Sequence, residues 1–273
     1  MLVRRRPYPG RLLHFLRPTR EPCMNHRTGR MGLEMASTLL SSTLMRSSRS
    51  CLAVILTLAV ALTGCHRRSA GPNDAYRDPR MSAAAWRHFF EDPGRGEIYT
   101  ARAEILQLSG VAPGMVVADV GAGTGLFTMM LSDAVGPEGR VYAEEVVDRF
   151  TRSIAERAEQ EGRTNVVSVA GTEHGIGLPP GSIDLAFLCD VYHHFDDPGA
   201  MLASIRRALR PHGQLFLVDF RREPGRSPDW VLTHVRAPEE AVIAEIEQAG
   251  FVSVAVDHHF HDSYAIRFRR REP

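Results

Sequence analysis

The sequence predicts an α/β fold in which a doubly wound, mostly parallel sheet carries helices on both faces. Three observations lead to it. Short apolar segments alternate with helical segments of 10–16 residues from position 97 onward. A glycine-rich turn joins the first strand to a helix, and the last two strands follow each other without an intervening helix. The first two features are typical of parallel β-α units, and the third predicts an antiparallel hairpin at one edge.

Each element follows from a local pattern. Ile98, Ala101 and Ile105 share one face of a predicted helix over 97–108. Predicted strands cover 115–119, 140–144, 166–170, 183–189, 214–219, 252–256 and 264–269, and further helices cover 125–135, 146–161, 199–210 and 238–249. Pro238 with two following acids suits the first turn of the last helix, and Gly250 suits its end. The seven strands are sufficient for one sheet.

Composition narrows the class of protein. Apolar residues make up 44% and charged residues 24% of the 273 residues, as in globular domains. The net charge of +1 divides into +8 over residues 1–64 and −7 over 65–273. An acidic folded part argues against a nucleic-acid partner. All 33 basic residues are arginine, which excludes mechanisms that need a lysine amine.

The amino-terminal region contains a targeting pattern. Basic residues from Met45 precede about 12 apolar residues, which is too short for a spanning helix of roughly 20 residues but suits a secretory signal. The run ends in Leu62-Thr-Gly-Cys65, which resembles the bacterial lipobox. The resemblance implies cleavage before Cys65, its lipidation, and a membrane-anchored lipoprotein on the periplasmic side. The alternative is a buried apolar helix with a chance cysteine, which implies a cytoplasmic protein.

These patterns divide the chain into four parts. Residues 1–44 are interpreted as an untranslated or disordered extension, 45–64 as the signal peptide, 65–80 as a polar tether and 81–273 as the folded domain. The mature chain would keep only Cys65 and Cys189, too few for an internal disulfide or a thiolate metal site.

The motif that carries chemistry is Asp119-Val-Gly121-Ala-Gly123-Thr-Gly125. It follows a strand and begins a helix, where glycines let the backbone approach a ligand at the carboxyl end of a parallel sheet. The spacing is G-x-G-x-G, not the G-x-G-x-x-G of dinucleotide enzymes. An acid before the first glycine suits a ligand with a positive centre. Glu144 and Glu145 stand about 20 residues after Gly125, and a carboxylate at that place can accept both hydroxyls of a ribose.

Four further motifs follow this one along the chain: Val-Tyr-Ala-Glu-Glu over 141–145, Gly-Thr-Glu over 171–173, Cys-Asp-Val-Tyr-His-His over 189–194, and Leu-Arg-Pro-His-Gly over 209–213. Together they resemble the class I S-adenosylmethionine-dependent methyltransferase family over about residues 97–270. The resemblance implies a seven-stranded Rossmann-like sheet and S-adenosyl-L-methionine as cofactor. It implies cofactor contacts from the following residues: Asp119, Gly121, Gly123, Gly125, Glu145, Thr172, Glu173 and Asp190. The resemblance aligns Glu145 with the ribose-binding acid and implies that Glu144 is its solvated neighbour, although a register slip would exchange the two. Thr172 departs from the usual aspartate of the adenine loop.

Candidates for acceptor chemistry follow the fourth strand. His193 or His194 could serve as a general base, because imidazole titrates near neutrality, or could pack on the loop instead. Arg221, Arg222 and Arg226 form either a wall for an acidic substrate or a solvated face. No metal is expected: the His-His-x-His pattern over 258–261 fits a polar hairpin turn better than a zinc site.

The sequence therefore predicts a methyltransferase for a small-molecule or lipid-like acceptor. The alternative is a lipid-anchored binding module, with or without S-adenosylmethionine, that has the fold but no activity. A nicotinamide-dependent oxidoreductase is disfavoured by the glycine spacing. The expected partners are the acceptor and a membrane, with no nucleic acid, and the pattern leaves the oligomeric state open.

An aromatic segment over residues 81–102 precedes the first strand. It contains Trp86, Phe89, Phe90, Tyr99 and Arg102. Two roles are open: a lid over the carboxyl ends of the strands, or a helix packed on the sheet.

Overall fold

The computed structural model describes residues 73–271. Seven strands form its sheet: β1 Val116–Val120, β2 Arg140–Glu145, β3 Val166–Ala170, β4 Ile183–Cys189, β5 Leu209–Phe220, β6 Phe251–Asp257 and β7 Ser263–Arg270. The α-helices are α1 Asp74–Arg77, α2 Ala83–Phe90, α3 Glu97–Thr100, α4 Arg102–Leu108, α5 Leu126–Val135, α6 Asp148–Gln160, α7 Pro198–Ala208, α8 Asp229–His234 and α9 Glu239–Gln248. All seven predicted strands are present, within five residues of their expected ends.

The sheet has the predicted topology. Its order is β3-β2-β1-β4-β5-β7-β6, with β1 to β5 parallel. β7 runs antiparallel to both β5 and β6, so the last two strands form the edge hairpin. Strand order reverses between β1 and β4, which are neighbours although two strands separate them in sequence. A crevice forms at such a switch point, outside the carboxyl ends of the strands.

Apolar cores cover both faces of the sheet. On one face, Leu202 of α7 and Ile246 of α9 are buried against the strands. On the other face, Phe127 of α5 lies 5.0 Å from the ring of Phe187, which lies 5.5 Å from that of Phe216. Burying such side chains contributes about 1.5–3 kcal/mol each. The predicted helix over 97–108 is divided into α3 and α4 at Ala101.

Residues 73–81, which we call the strap, lie against the domain. The Arg149 guanidinium of α6 fastens them, donating to the backbone carbonyl of Asp78 at 2.8 Å and to those of Tyr76 and Met81. Most of the strap falls in the segment that the sequence assigned to the tether. The last part of the predicted tether is therefore bound to the fold in this structure.

No helix among residues 73–271 is both long and apolar enough to cross a membrane. The extension, the signal peptide and Cys65 lie outside the described residues. The anchor thus stays a prediction.

Candidate active site

A deep pocket lies at the carboxyl ends of β1, β2 and β4, at the switch point of the sheet. It holds about 1220 Å³ of space when counted out to its open mouth. The turn after β1, the acids that end β2 and the residues after β4 form its floor. The pocket therefore occupies the place where open α/β sheets bind their ligands.

The glycine turn brings backbone donors to the pocket floor. Gly121 has φ +66°, in the left-handed region, and a Cβ there would lie 2.2 Å from Cγ2 of Val191. The Gly121 N–H donates to Glu144 Oε2 at 3.1 Å, and the Gly123 N–H donates to Glu145 Oε2 at 2.8 Å. The turn and the acids at the end of β2 thus hold each other in place.

Three carboxyl groups are buried at this floor. Asp119 accepts a hydrogen bond from the Thr128 hydroxyl at 2.6 Å, and Glu145 accepts a second from the Val147 N–H at 2.9 Å. Oε1 of Glu144 is buried without a hydrogen-bond partner among the described residues. Loss of hydration raises the pKa of Asp119 to about 7 and that of Glu144 to about 8, and it also raises the pKa of Glu145. The floor favours a ligand that brings positive charge and hydrogen-bond donors.

Glu144 reaches the floor because a glycine directly follows the neighbouring strand β3. A Cβ at Gly171 would lie only 1.5 Å from Glu144 Oε1. Any other residue at 171 would therefore displace this carboxyl. The expectation that Glu144 is a solvated neighbour is wrong, since its side chain is buried and lines the pocket.

The strap and the loop after β3 form one corner. Glu173 lines the pocket, accepts from the Asn73 amide at 3.3 Å and pairs with Arg77. Thr172 is exposed and forms a small turn with Gly175, in which the Thr172 N–H donates to the Gly175 carbonyl at 3.0 Å. Of the two residues predicted at the adenine loop, Glu173 lies in the pocket and Thr172 lies outside it.

The loop after β4 places two histidines differently. His194 lines the pocket, whereas His193 lies behind it, with Nδ1 2.7 Å from Asp219 Oδ1. The His193 backbone N–H also donates to Asp219 Oδ2 at 3.1 Å. Asp190 lines the pocket in the left-handed region at φ 59°, a backbone conformation that costs energy for a residue with a side chain. Such local cost is concentrated at functional sites.

Aromatic and apolar side chains form the upper wall, and several come from before β1. The lining side chains of this kind are Tyr76, Phe90, Ile98, Tyr99, Phe150, Phe195 and Phe220. Trp86 is instead buried behind them, 2% exposed, with its ring stacked on Phe90 at 5.6 Å. The segment over 81–102 therefore both packs on the domain and lines the pocket.

Several predicted residues do not line the pocket. Gly125 begins α5 in the left-handed conformation, where a Cβ would lie 3.1 Å from Ile154. Tyr192, which belongs to the motif over 189–194, is buried and donates to Glu245 at 2.9 Å. The arginines after β5 bind neighbouring segments instead: Arg221 donates to the Ser263 carbonyl, Arg222 to that of Leu232 and Arg226 to that of His261. The histidines over 258–261 pair with separate acids: His258 with Glu239, His259 with Asp257 and Glu104, and His261 with Asp262.

Comparisons with known proteins agree with this geometry. A family described as "Methyltransferase domain" matches residues 118–217. The ubiquinone/menaquinone biosynthesis C-methyltransferase UbiE of Shewanella baltica is 29% identical over 118 residues, which are 43% of this chain and 47% of that protein. The enzyme of the same name from Hydrogenovibrio crunogenus is 30% identical over 43% of this chain and 46% of its own length. The chain thus matches about half the length of these curated relatives.

Solved structures show the same architecture. A SAM-dependent methyltransferase from Aquifex aeolicus is 25% identical, with a TM-score of 0.61, over 70% of this chain and 99% of its own. The [4+2]-cyclase SpnF shares the fold at 16% identity, with a TM-score of 0.56, over 67% of this chain and 86% of that one.

The chain has the Rossmann-like fold of solved S-adenosylmethionine-dependent methyltransferases, and its residues 118–217 match the methyltransferase domain family. These similarities imply S-adenosylmethionine as the cofactor. The residues that line the pocket fit S-adenosylmethionine, because they offer buried hydrogen-bond acceptors. The buried Oε1 of Glu144 has no donor from the described residues, and the Glu145 oxygens each keep a lone pair beyond their backbone bonds. Asp119, Glu144 and Glu145 are the residues that would hold it.

Proposed function

We propose that this protein is an S-adenosylmethionine-dependent methyltransferase that acts on an apolar, ring-bearing or lipid-like small molecule. The observation that carries the proposal is one pocket with two unlike walls. Its floor presents buried carboxyl groups, and its upper wall is aromatic. Aromatic side chains such as Tyr76 and Phe90 favour a flat apolar acceptor. The relatives named as C-methyltransferases of quinone biosynthesis support the same class of acceptor.

When bound, the cofactor supplies a methyl group on a positively charged sulfur; the acceptor's electron pair attacks the methyl carbon, and the rest of the cofactor leaves as a neutral thioether. The chain's residues orient the two partners. Asp119, Glu144 and Glu145 bind the cofactor side, and the apolar wall excludes water from the acceptor side. If the acceptor must lose a proton, His194 in the pocket wall is the base that would accept it. His193 lies behind the wall and is oriented by Asp219.

Calorimetry with S-adenosylmethionine tests cofactor binding. The full chain should bind in the micromolar range, about −8 kcal/mol. Asp119→Asn and Glu145→Gln should each weaken binding by about 1–3 kcal/mol, because cofactor donors lose a charged acceptor. Glu138→Gln, at an exposed position, is the matched control. Absence of binding at millimolar cofactor, or binding of NAD instead, would contradict the proposal.

Methyl transfer needs its own assay. Radiolabelled S-adenosylmethionine and a short-chain prenylated naphthoquinol should give a labelled apolar product, and Phe90→Ala should raise KM for the quinol more than it lowers kcat. Cofactor binding without transfer to any of a panel of phenols, quinols and lipids would favour the alternative, a binding module. The fold alone does not decide, since it is shared by a protein named as a cyclase.

We further propose that Cys65 anchors the protein to a membrane on the periplasmic side. The support is the lipobox-like Leu62–Cys65 after an apolar run.

A further inference from the structure

Three histidine rings meet beside the pocket, and one of them, that of His194, lines it. His193 and His194 follow β4, and His234 ends α8, 40 residues further along the chain. The ring centres lie 4.2 Å apart for His193 and His194, 5.1 Å for His193 and His234, and 4.9 Å for His194 and His234. One ring nitrogen from each lies within 4.8 Å of the others. We propose that these three histidines bind a divalent transition-metal ion of the zinc type.

The spacing of two of the nitrogens suits zinc. Nε2 of His194 and Nε2 of His234 lie 3.4 Å apart. Two nitrogens bound to one tetrahedral zinc at about 2.0–2.1 Å are separated by about 3.3–3.4 Å. One ring nitrogen of His193 lies within 4.8 Å of the other two, so it would have to come closer to them when a metal binds.

The third ligand is held as metal-binding histidines usually are. A ligating histidine almost always gives its other ring nitrogen to a carboxylate or carbonyl, which fixes the ring. Nδ1 of His193 lies 2.7 Å from the buried Asp219, and Nε2, which lies 4.0 Å from Asp190 Oδ1, is the ring nitrogen that would bind a metal. Asp219 is itself fixed by the N–H groups of His193 and Phe220, at 3.1 and 2.8 Å. The cluster therefore has a preformed outer shell.

A metal here would face the acceptor. His194 and Tyr76 both line the pocket, and the Tyr76 hydroxyl lies 3.4 Å from His194 Nε2. Three histidines leave one tetrahedral position open, as in catalytic zinc sites. An acceptor oxygen, such as a phenol or enol hydroxyl, is the ligand class that would take it. With a metal bound, His194 is a ligand instead of a base. This role rests on the proposed function, but metal binding does not.

The rival arrangement is a metal-free histidine pair, in which one Nε2–H donates to the other Nε2. The chelator-stripped full chain, titrated with Zn²⁺ by calorimetry and with Co²⁺ by visible absorption, separates the two. We expect one equivalent of tightly bound metal and the strong absorption of four-coordinate cobalt. His234→Ala should weaken that binding by about 100-fold or more, and Asp219→Asn by about 10–100-fold. His234 is exposed, so its truncation leaves the fold intact.

His212→Ala is the matched control, because His212 is exposed near the amino end of β5, whereas the three histidines lie beyond the carboxyl ends of β4 and β5. It should leave both titrations unchanged. Equal Zn²⁺ binding by the wild type, His234→Ala and His194→Ala would overturn the proposal, as would the absence of four-coordinate cobalt absorption. A protein that binds Co²⁺ at this cluster but transfers no methyl group would refute the proposed function and leave the metal site standing.

Discussion

Replacing Glu144 with glutamine should stabilise the protein in the absence of cofactor at alkaline pH. Glutamine keeps the shape and can accept the Gly121 N–H bond that Glu144 Oε2 accepts at 3.1 Å. It removes a carboxyl whose second oxygen is buried without a partner among the described residues. The variant therefore isolates the cost of the buried charge.

The magnitude follows from linkage. Burial raises the pKa of Glu144 from an ordinary 4.5 to about 8. In the unfolded chain the carboxyl ionises from about pH 4.5, whereas in the folded protein it stays protonated until about pH 8. Stability is therefore full below pH 4.5 and is lost as pH rises to 8. At 1.36 kcal/mol per pKa unit, the loss approaches about 5 kcal/mol. Glu144→Gln should recover about 3–5 kcal/mol at pH 8.5 and less than about 1 kcal/mol at pH 5.

Urea unfolding followed by circular dichroism at pH 5 and 8.5 measures this difference. Exposed Glu138→Gln is the control and should leave the pH dependence of the wild type unchanged. A Glu144→Gln protein that is no more stable than the wild type at pH 8.5, or equally stabilised at both pH values, would refute the reasoning.

Three further predictions concern the strap, the aromatic segment and the amino terminus. Arg149→Gln removes the donor to three strap carbonyls, so cofactor affinity should fall several-fold by calorimetry, and an unchanged affinity would show that the strap does not shape the site. Trp86→Ala should lower the free energy of unfolding by about 3–5 kcal/mol, measured in urea, because Trp86 is almost fully buried; a loss below about 1 kcal/mol would contradict its packing role. Cys65→Ser should abolish fatty-acid labelling and membrane association in fractionated cells, and soluble wild-type protein with residues 45–64 still attached would count against the anchor.

The sheet could be predicted from sequence because each strand is a short apolar run bounded by polar turns. The edge hairpin followed from the missing helix between β6 and β7. The glycine turn could also be predicted from sequence, because its residues are contiguous and their spacing reflects the backbone conformation of the turn. Local pattern thus sufficed for β1, the turn and Glu145.

The rest of the site depends on contacts between distant residues. Asp219 and His193 are 26 residues apart, and Tyr76 reaches His194 across 118 residues. Glu144 was expected to be a solvated neighbour because the resemblance aligned only Glu145 with the ribose-binding acid. Burial of both acids depends on Gly171, which directly follows β3, and only the pairing of β2 with β3 reveals that this glycine lies beside Glu144.

The strap has a kinetic consequence. Tyr76 lines the upper wall, and the strap that carries it has three backbone carbonyls bound by the single guanidinium of Arg149, in addition to the contacts of Asn73 and Arg77 with Glu173. When the Arg149 guanidinium moves away, all three carbonyls lose their hydrogen bonds together. The wall should therefore open in one concerted step and not residue by residue. The dissociation rate of product would then be set by this opening, and turnover would respond to a side chain on the far side of the strap that never touches the reactants.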